Sequence, residues 1–286
     1  MFTRISLALL LLLALPALAD DYYLIEMNES GQSLDGCASF FWNADAIFYN
    51  LGADDQTVTL VGLSNQYFPT GAPIPPPPPQ PSQLRVPPGR ATSLRQTLGV
   101  PWRPATSPPM WIIHVTAPPA LVVDSEMSLG LRGGGCGPRG PQFFNQQNGK
   151  TQLPVFRSLV PATQRQVIRG LSIGDVPGHI NVAIYNGGSD TASATIEVHR
   201  ACDGAMTETR NVVIAANFVQ QFTGFAIPET ATACAPLDPT AGTSRLAYVI
   251  VTVDQPSLTF ASILGSVSVT SNQPASSIQV MPGVAQ

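Results

Sequence analysis

Residues 47–60 read IFYNLGADDQTVTL and residues 183–196 read AIYNGGSDTASATI, one phrase written twice 136 positions apart. Without a gap, Tyr49-Asn50 falls on Tyr185-Asn186, Gly52 on Gly188, Asp54 on Asp190 and Thr59 on Thr195. In each copy a short β-prone run, 44–48 or 180–184, leads into a Gly/Asp-rich turn, and a second run, 57–61 or 194–198, follows. Glycine tolerates positive φ and Asp bonds its own backbone, so the phrase reads as strand, turn, strand.

A second correspondence extends the first. Trp111-Ile112-Ile113-His114-Val115-Thr116 aligns with Tyr248-Val249-Ile250-Val251-Thr252-Val253 at an offset of 137. Both then reach a Pro-x-Leu step, Pro119-Ala120-Leu121 and Pro256-Ser257-Leu258. Between the blocks lie Leu84-Arg85-Val86-Pro87-Pro88-Gly89 and Val212-Val213-Ile214-Ala215-Ala216-Asn217. A period this long is not that of a solenoid; it predicts two tandem domains of about 130 residues, each able to fold alone. The halves diverge in a Pro-rich loop around residues 75–79, expected to be a stiff extended spacer.

The amino terminus stands outside the duplication. Arg4 precedes an almost unbroken apolar run from Ile5 to Leu15, then Ala17-Leu18-Ala19. This reads as a secretory signal peptide, residues 1–19, cleaved before Asp20; the apolar run is shorter than the ~20 residues a bilayer requires. The expected domains are then 20–155, carrying the Pro-rich insert, and 156–286. Removing Arg4 from 14 basic residues leaves 13 against 18 acidic ones, with no basic cluster to suit a nucleic acid. Charged residues are 11% of the chain, so Ser, Thr, Asn and Gln must supply the surface polarity. The expected location is periplasmic or secreted, with no membrane insertion after cleavage.

Four cysteines in an exported chain point to disulfides, and four allow three pairings. Cys37 and Cys136 lie in the first half, Cys202 and Cys234 in the second, which favours one bridge per half. There is no C-x-x-C pair and there are three His, which disfavours zinc.

Gly170-Leu171-Ser172-Ile173-Gly174 fits G-x-S-x-G, the nucleophile elbow of α/β-hydrolases. The downstream Asp175-Val176-Pro177-Gly178 cannot open a helix, so Ser172 is expected to be non-catalytic. His114, His179 and His199 have no metal-type spacing; Asp54, Asp55 and Asp190 read as turn residues; no cofactor or metal site is implied. Trp42 and Trp111 fall in strand-like runs and read as core. Trp102, with Arg103 beside it, lies in a loop that either anchors to the sandwich or faces a ligand. Loops where the halves stop matching, 69–83, 100–109, 132–141 and 228–242, are the expected recognition elements.

The succession of strand, Tyr-Asn, Gly/Asp turn, Thr/Val-rich strand and Pro-Pro-Gly resembles the tandem immunoglobulin-like β-sandwich modules of secreted bacterial proteins. It is also similar to cell-adhesion-related domains and to exported two-module proteins whose modules close on a short apolar-Pro strand. Leu153-Pro154-Val155-Phe156 and Gln279-Val280-Met281-Pro282 carry that last feature. The resemblance covers the mature chain and implies an all-β fold of two tandem sandwiches. It brings no catalytic residues, and the proline insert and the cysteines depart from it. The expected role is non-catalytic: a structural, adhesive or ligand-binding protein of the cell envelope or exterior, meeting a surface polymer or another protein. A carbohydrate-binding accessory module is the alternative, and a secreted hydrolase using Ser172 ranks third.

Overall fold

The structure, a computed structural model, describes residues 19–32, 38–62, 82–94, 110–134, 143–173, 178–226, 245–265 and 278–286. Residues 1–18 of the expected signal peptide and the Pro-rich run 75–79 lie outside these.

The chain is all-β and its sheets are antiparallel. The first half contributes β1 (Asp20–Gln32), β2 (Ala38–Asn50), β3 (Gln56–Gly62), β4 (Ser82–Val86), β5 (Ala91–Ser93), β6 (Met110–Ala117), β7 (Leu121–Gly134), β8 (Phe143–Gln152) and β9 (Val155–Phe156). The second contributes β10 (Arg165–Ile173), β11 (Gly178–Asn186), β12 (Ala192–Arg200), β13 (Met206–Ile214), β14 (Phe218–Ala226), β15 (Arg245–Val253), β16 (Ser257–Gly265), β17 (Ile278–Pro282) and β18 (Val284–Ala285). The halves pair alike. The order β13-β12-β15-β10-β18 repeats as β4-β3-β6-β1-β9, and β14-β11-β16-β17 repeats as β5-β2-β7-β8.

Against the immunoglobulin pattern, two neighbour relations are shared and three are not, the fourth strand lying beside the third instead of the fifth. Second pairs with fifth and third with sixth, as B with E and C with F do. The first strand, however, lies beside the sixth instead of the second, and the seventh joins the second. In the first half β1 does both: residues 20–27 pair with β6, and residues 28–32 pair with β2. That long strand stitches two sheets into one of nine strands, whereas β10 leaves the second half with separate sheets of five and four.

Alternation explains the packing. In β12, Ala192, Ala194, Ile196 and Val198 point inward while Ser193, Thr195, Glu197 and His199 point out. The pairings also correct the second sequence alignment. Leu60 pairs with Val115, and Ile196 with Val251, so the offset across β6 and β15 is 136, not 137. A slip of one residue moves every side chain to the opposite face. In the true register Ile113, Val115 and Ala117 correspond to Val249, Val251 and Val253, all buried.

Each half has its own core between its sheets, one around Phe48, Leu60 and Val115, the other around Ile196, Phe225 and Val251. A third cluster belongs to both. It joins Ile25, Ala44, Ile112, Met127 and Leu153 of the first half to Ala183, Tyr185, Val219, Leu258, Phe260 and Val280 of the second. The halves were expected to be self-sufficient; this shared core couples them. The connection between them is also fastened. Val155 and Phe156 pair with β1, so Phe156 belongs with the first half. Arg157 lies over the Tyr22 ring at 5.2 Å, Leu159 packs on the shared cluster, and Val160 bridges to Ser257.

Candidate functional site

The repeated phrase is a structural device. Asn50 and Asn186 end β2 and β11 and are fully buried. Asn50 Nδ2 donates to the carbonyls of Asp54 (2.8 Å) and Val86 (2.9 Å), while its Oδ1 accepts from Gly52 N–H at 2.8 Å. Asn186 Nδ2 donates to Asp190 (2.8 Å), Ile214 (3.2 Å) and Ala215 (3.1 Å), and its Oδ1 accepts from Gly188 N–H at 2.9 Å. One amide thus closes a turn and ties it to the end of the fourth strand in each half. The next turn is also shared: Gly89 adopts φ 64° and its counterpart Asn217 adopts φ 49°, Asn being a residue that tolerates the left-handed region. The Tyr-Asn-x-Gly signal therefore reports folding, not chemistry.

The other sequence candidates scatter. Ser172 sits within β10, opposite Leu246, two residues after a bulge at which Gly170 takes φ 71°. A nucleophile elbow needs a sharp strand-to-helix turn, and this serine, the penultimate residue of β10, is still paired in its sheet, with strand β11 the next described element. Cys202 is disulfide-bonded; Cys37, Cys136 and Cys234, like Trp102 and Arg103, lie outside the described residues. The Cys202 turn is well fixed: Arg200 grips Asp203 at 3.0 and 2.7 Å and holds that carboxyl down at about 2, helped by the Ala205 N–H. His114 Nε2 meets Asp21 Oδ1 at 3.0 Å, with the Tyr23 ring 5.0 Å away. His199 stacks on Tyr248 at 4.9 Å and contacts Glu197 at 3.1 Å. Trp42 and Trp111 lie within β2 and β6. Among the described residues, no three His, Cys, Asp or Glu side chains are placed to hold a metal ion.

What the register does bring together is a pair of corresponding sheet faces. On the outward side of β11 and β16 the rows are Tyr185–Leu258 and Ala183–Phe260, with Val219 of β14 flanking. This donor face supplies the second half's share of the cluster between the halves, and Tyr185 there is 2% exposed. Its hydroxyl donates to Asn217 Oδ1 at 2.8 Å, and burial, then Tyr23, pushes that phenol above its ordinary range. The same side of β2 and β7 reads Tyr49–Val122, Ile47–Asp124 and Asp45–Glu126. Here Tyr49 is 37% and Val122 47% exposed. Leu51, just beyond, is 76% exposed; its counterpart Gly187 has no room for a side chain, because a Cβ would lie 2.6 Å from Leu159 Cδ1.

No protein-family model and no curated protein matches this chain. Among solved structures it is similar to Thermotoga maritima 1070, at 12% identity over 44% of this chain and 97% of that one, with a TM-score of 0.31. It is also similar to infectious bursal disease virus strain Gx, at 8% identity over 93% of this chain and 67% of that one, with a TM-score of 0.19. Likeness at these scores carries no argument about what the chain does.

The exposed Tyr49 face was missed in the sequence because differences were sought in loops. The telling differences are Leu51 against Gly187, just past the paired strands, and Asp124 against Phe260, an outward strand position that aligns only once the register is right.

Proposed function

We propose that the chain is an exported, non-catalytic protein of two immunoglobulin-like sandwich modules that works by presenting surfaces at the cell envelope or exterior. The supporting observation is the use of one sheet face in two ways. The second module spends its face on docking to the first, and the first module leaves the corresponding face open, apolar at Tyr49, Leu51 and Val122 and acidic at Asp45, Asp124 and Glu126. Apolar positions rimmed by charge suit a docking surface. The conversion of the first strand's neighbours departs from the immunoglobulin pattern but keeps its two-sheet logic. The test is a screen of the mature protein on immobilised glycans and envelope preparations, run beside an ester-cleavage assay. Binding that Tyr49→Glu abolishes, with no ester cleavage, supports the reading. Ester cleavage lost in Ser172→Ala overturns it.

A further inference from the structure

The cluster between the halves is a contact of two unlike faces, so its geometry can be repeated between chains. The donor face is the outward side of β11, β14 and β16; the acceptor face is the outward side of β1 and β6, at Tyr23, Ile25 and Ile112, with Phe156. Each half carries both, because the halves share one topology. Within a chain, the second half's donor face meets the first half's acceptor face. Two faces remain over: the donor face of the first half, at Tyr49 and Val122, and the acceptor face of the second. By register the latter has Val167, itself buried, for Tyr23, Tyr248 for Ile112 and Val284 for Phe156, while the exposed Arg169 falls in the bulge after Ile168, where the first half continues to Ile25.

We infer that the Tyr49 face of one chain docks on the Val284 face of a second copy, giving head-to-tail assembly. Three observations carry this. First, the large exposed apolar side chains among the described residues fall on these two leftover faces. Tyr49, Leu51 and Val122 mark the donor face, and Val284 (62% exposed) lies at the acceptor face. Met206 and Val213 lie farther along the same sheet side, opposite the outward His199 and Ser193. Second, the charges complement each other. Phe260 and Ile25 share the cluster inside the chain; their counterparts in the proposed contact are Asp124 and Arg169. Arg165, also exposed, stands where the first half has Asp21, and the donor face adds Asp45 and Glu126 opposite one another. Third, a contact between the corresponding faces already exists once within each chain and supplies the arrangement a copy would follow. Such a contact uses unlike faces and propagates into rings or filaments instead of stopping at a dimer.

The inference rests on reading the Tyr49 face as a docking surface, and the experiment separates the two. Sedimentation equilibrium of the mature protein is expected to show mass growing with concentration past the dimer. Tyr49→Glu and Val284→Glu, each first shown to keep the wild-type melt, should each weaken association at least ~10-fold. Their equimolar mixture should stop at a one-to-one dimer, since each variant retains one working face. Should either variant fold poorly, Asp124→Arg and Arg169→Asp replace them: each alone weakens association and the two mixed together restore it. A chain that stays monomeric throughout overturns the inference while leaving Tyr49-dependent binding to other surfaces intact. So does association that Tyr49→Glu abolishes and both socket changes, Val284→Glu and Arg169→Asp, leave untouched.

Discussion

Tyr49 and Tyr185 occupy one place in two copies of one fold, each followed by an Asn that staples the same turn. Tyr185 is sealed against the first half, with its hydroxyl bonded to Asn217; Tyr49 stands half in solvent beside Val122. The strands beneath them pair alike, so backbone does not make the difference. It comes from neighbours one row away. Phe260 extends the apolar surface under Tyr185, whereas Asp124 interrupts it under Tyr49. Gly187 lets Leu159 close in, and Leu51 projects outward. A repeated strand order can thus keep its interior while a few outward side chains decide whether a face is covered or open.

The comparison breaks most severely if the halves are separated. Fragments 20–156 and 157–286 are expected to melt more than about 10 °C below the whole protein, since each loses its side of the shared core, and 157–286 should bind a hydrophobic dye. Two fragments that melt with the intact chain would show the shared cluster to be idle. Next, Phe260→Ala should cost about 3–5 kcal/mol, the usual range for deleting a buried ring. Asp124→Ala, at the corresponding position, should stay within about 0.5 kcal/mol; urea titration reads both. Asn50→Ala and Asn186→Ala should each cost about 3 kcal/mol, because each removes three or four hydrogen bonds, one of them to a buried carbonyl, at about 1 kcal/mol apiece. Near-equal losses sharpen the claim that this device is common to both halves.

A gain is expected at Ser125. Its hydroxyl is buried without a hydrogen-bond partner, and the corresponding residue of the second half is Ala261. Ser125→Ala should therefore stabilise the protein by about 1 kcal/mol. The smallest effect is conditional on pH. Tyr185 has its phenol raised above 10.0, so the unfolded chain ionises first. Its contribution is complete below pH 10 and is lost as the pH rises through the folded-state value. Alkaline melts of wild type should fall more steeply than those of Tyr185→Phe.

Much of this architecture was legible in the sequence because the turn chemistry is local. Asn50, Gly52 and Asp54 announce a stapled turn, and a second copy at a fixed spacing announces a second module. The first strands were not legible: Asp20–Gln32 reads DDYYLIEMNESGQ and lacks clean alternation, since β1 changes partners midway. The docking faces were hidden by the alignment of Trp111 with Tyr248, an attractive aromatic match that places His114 against the inward Val251. Only pairing with β3 and β12 restores His114 to Ile250 and exposes which outward residues differ. Phe260 carries no local signal at all, because its burial depends on residues more than a hundred positions away.

The interiors also differ at one spot. Gln166 donates to Ser257 Oγ at 2.9 Å and accepts from Thr259 Oγ1 at 2.9 Å, all three buried between the sheets. The corresponding residues of the first half are Tyr22, Leu121 and Val123, packed in its apolar core. Two modules of identical strand order on one chain risk exchanging strands as they fold, a known failure of repeated domains. Were β10 to insert beside β6, Gln166 would face Leu121 and Val123 with neither of its partners. Were β1 to insert beside β15, the Tyr22 ring would strand Ser257 and Thr259. Either error leaves buried polar groups unsatisfied, so this trio acts as a mark of identity by which each module rejects its twin's first strand.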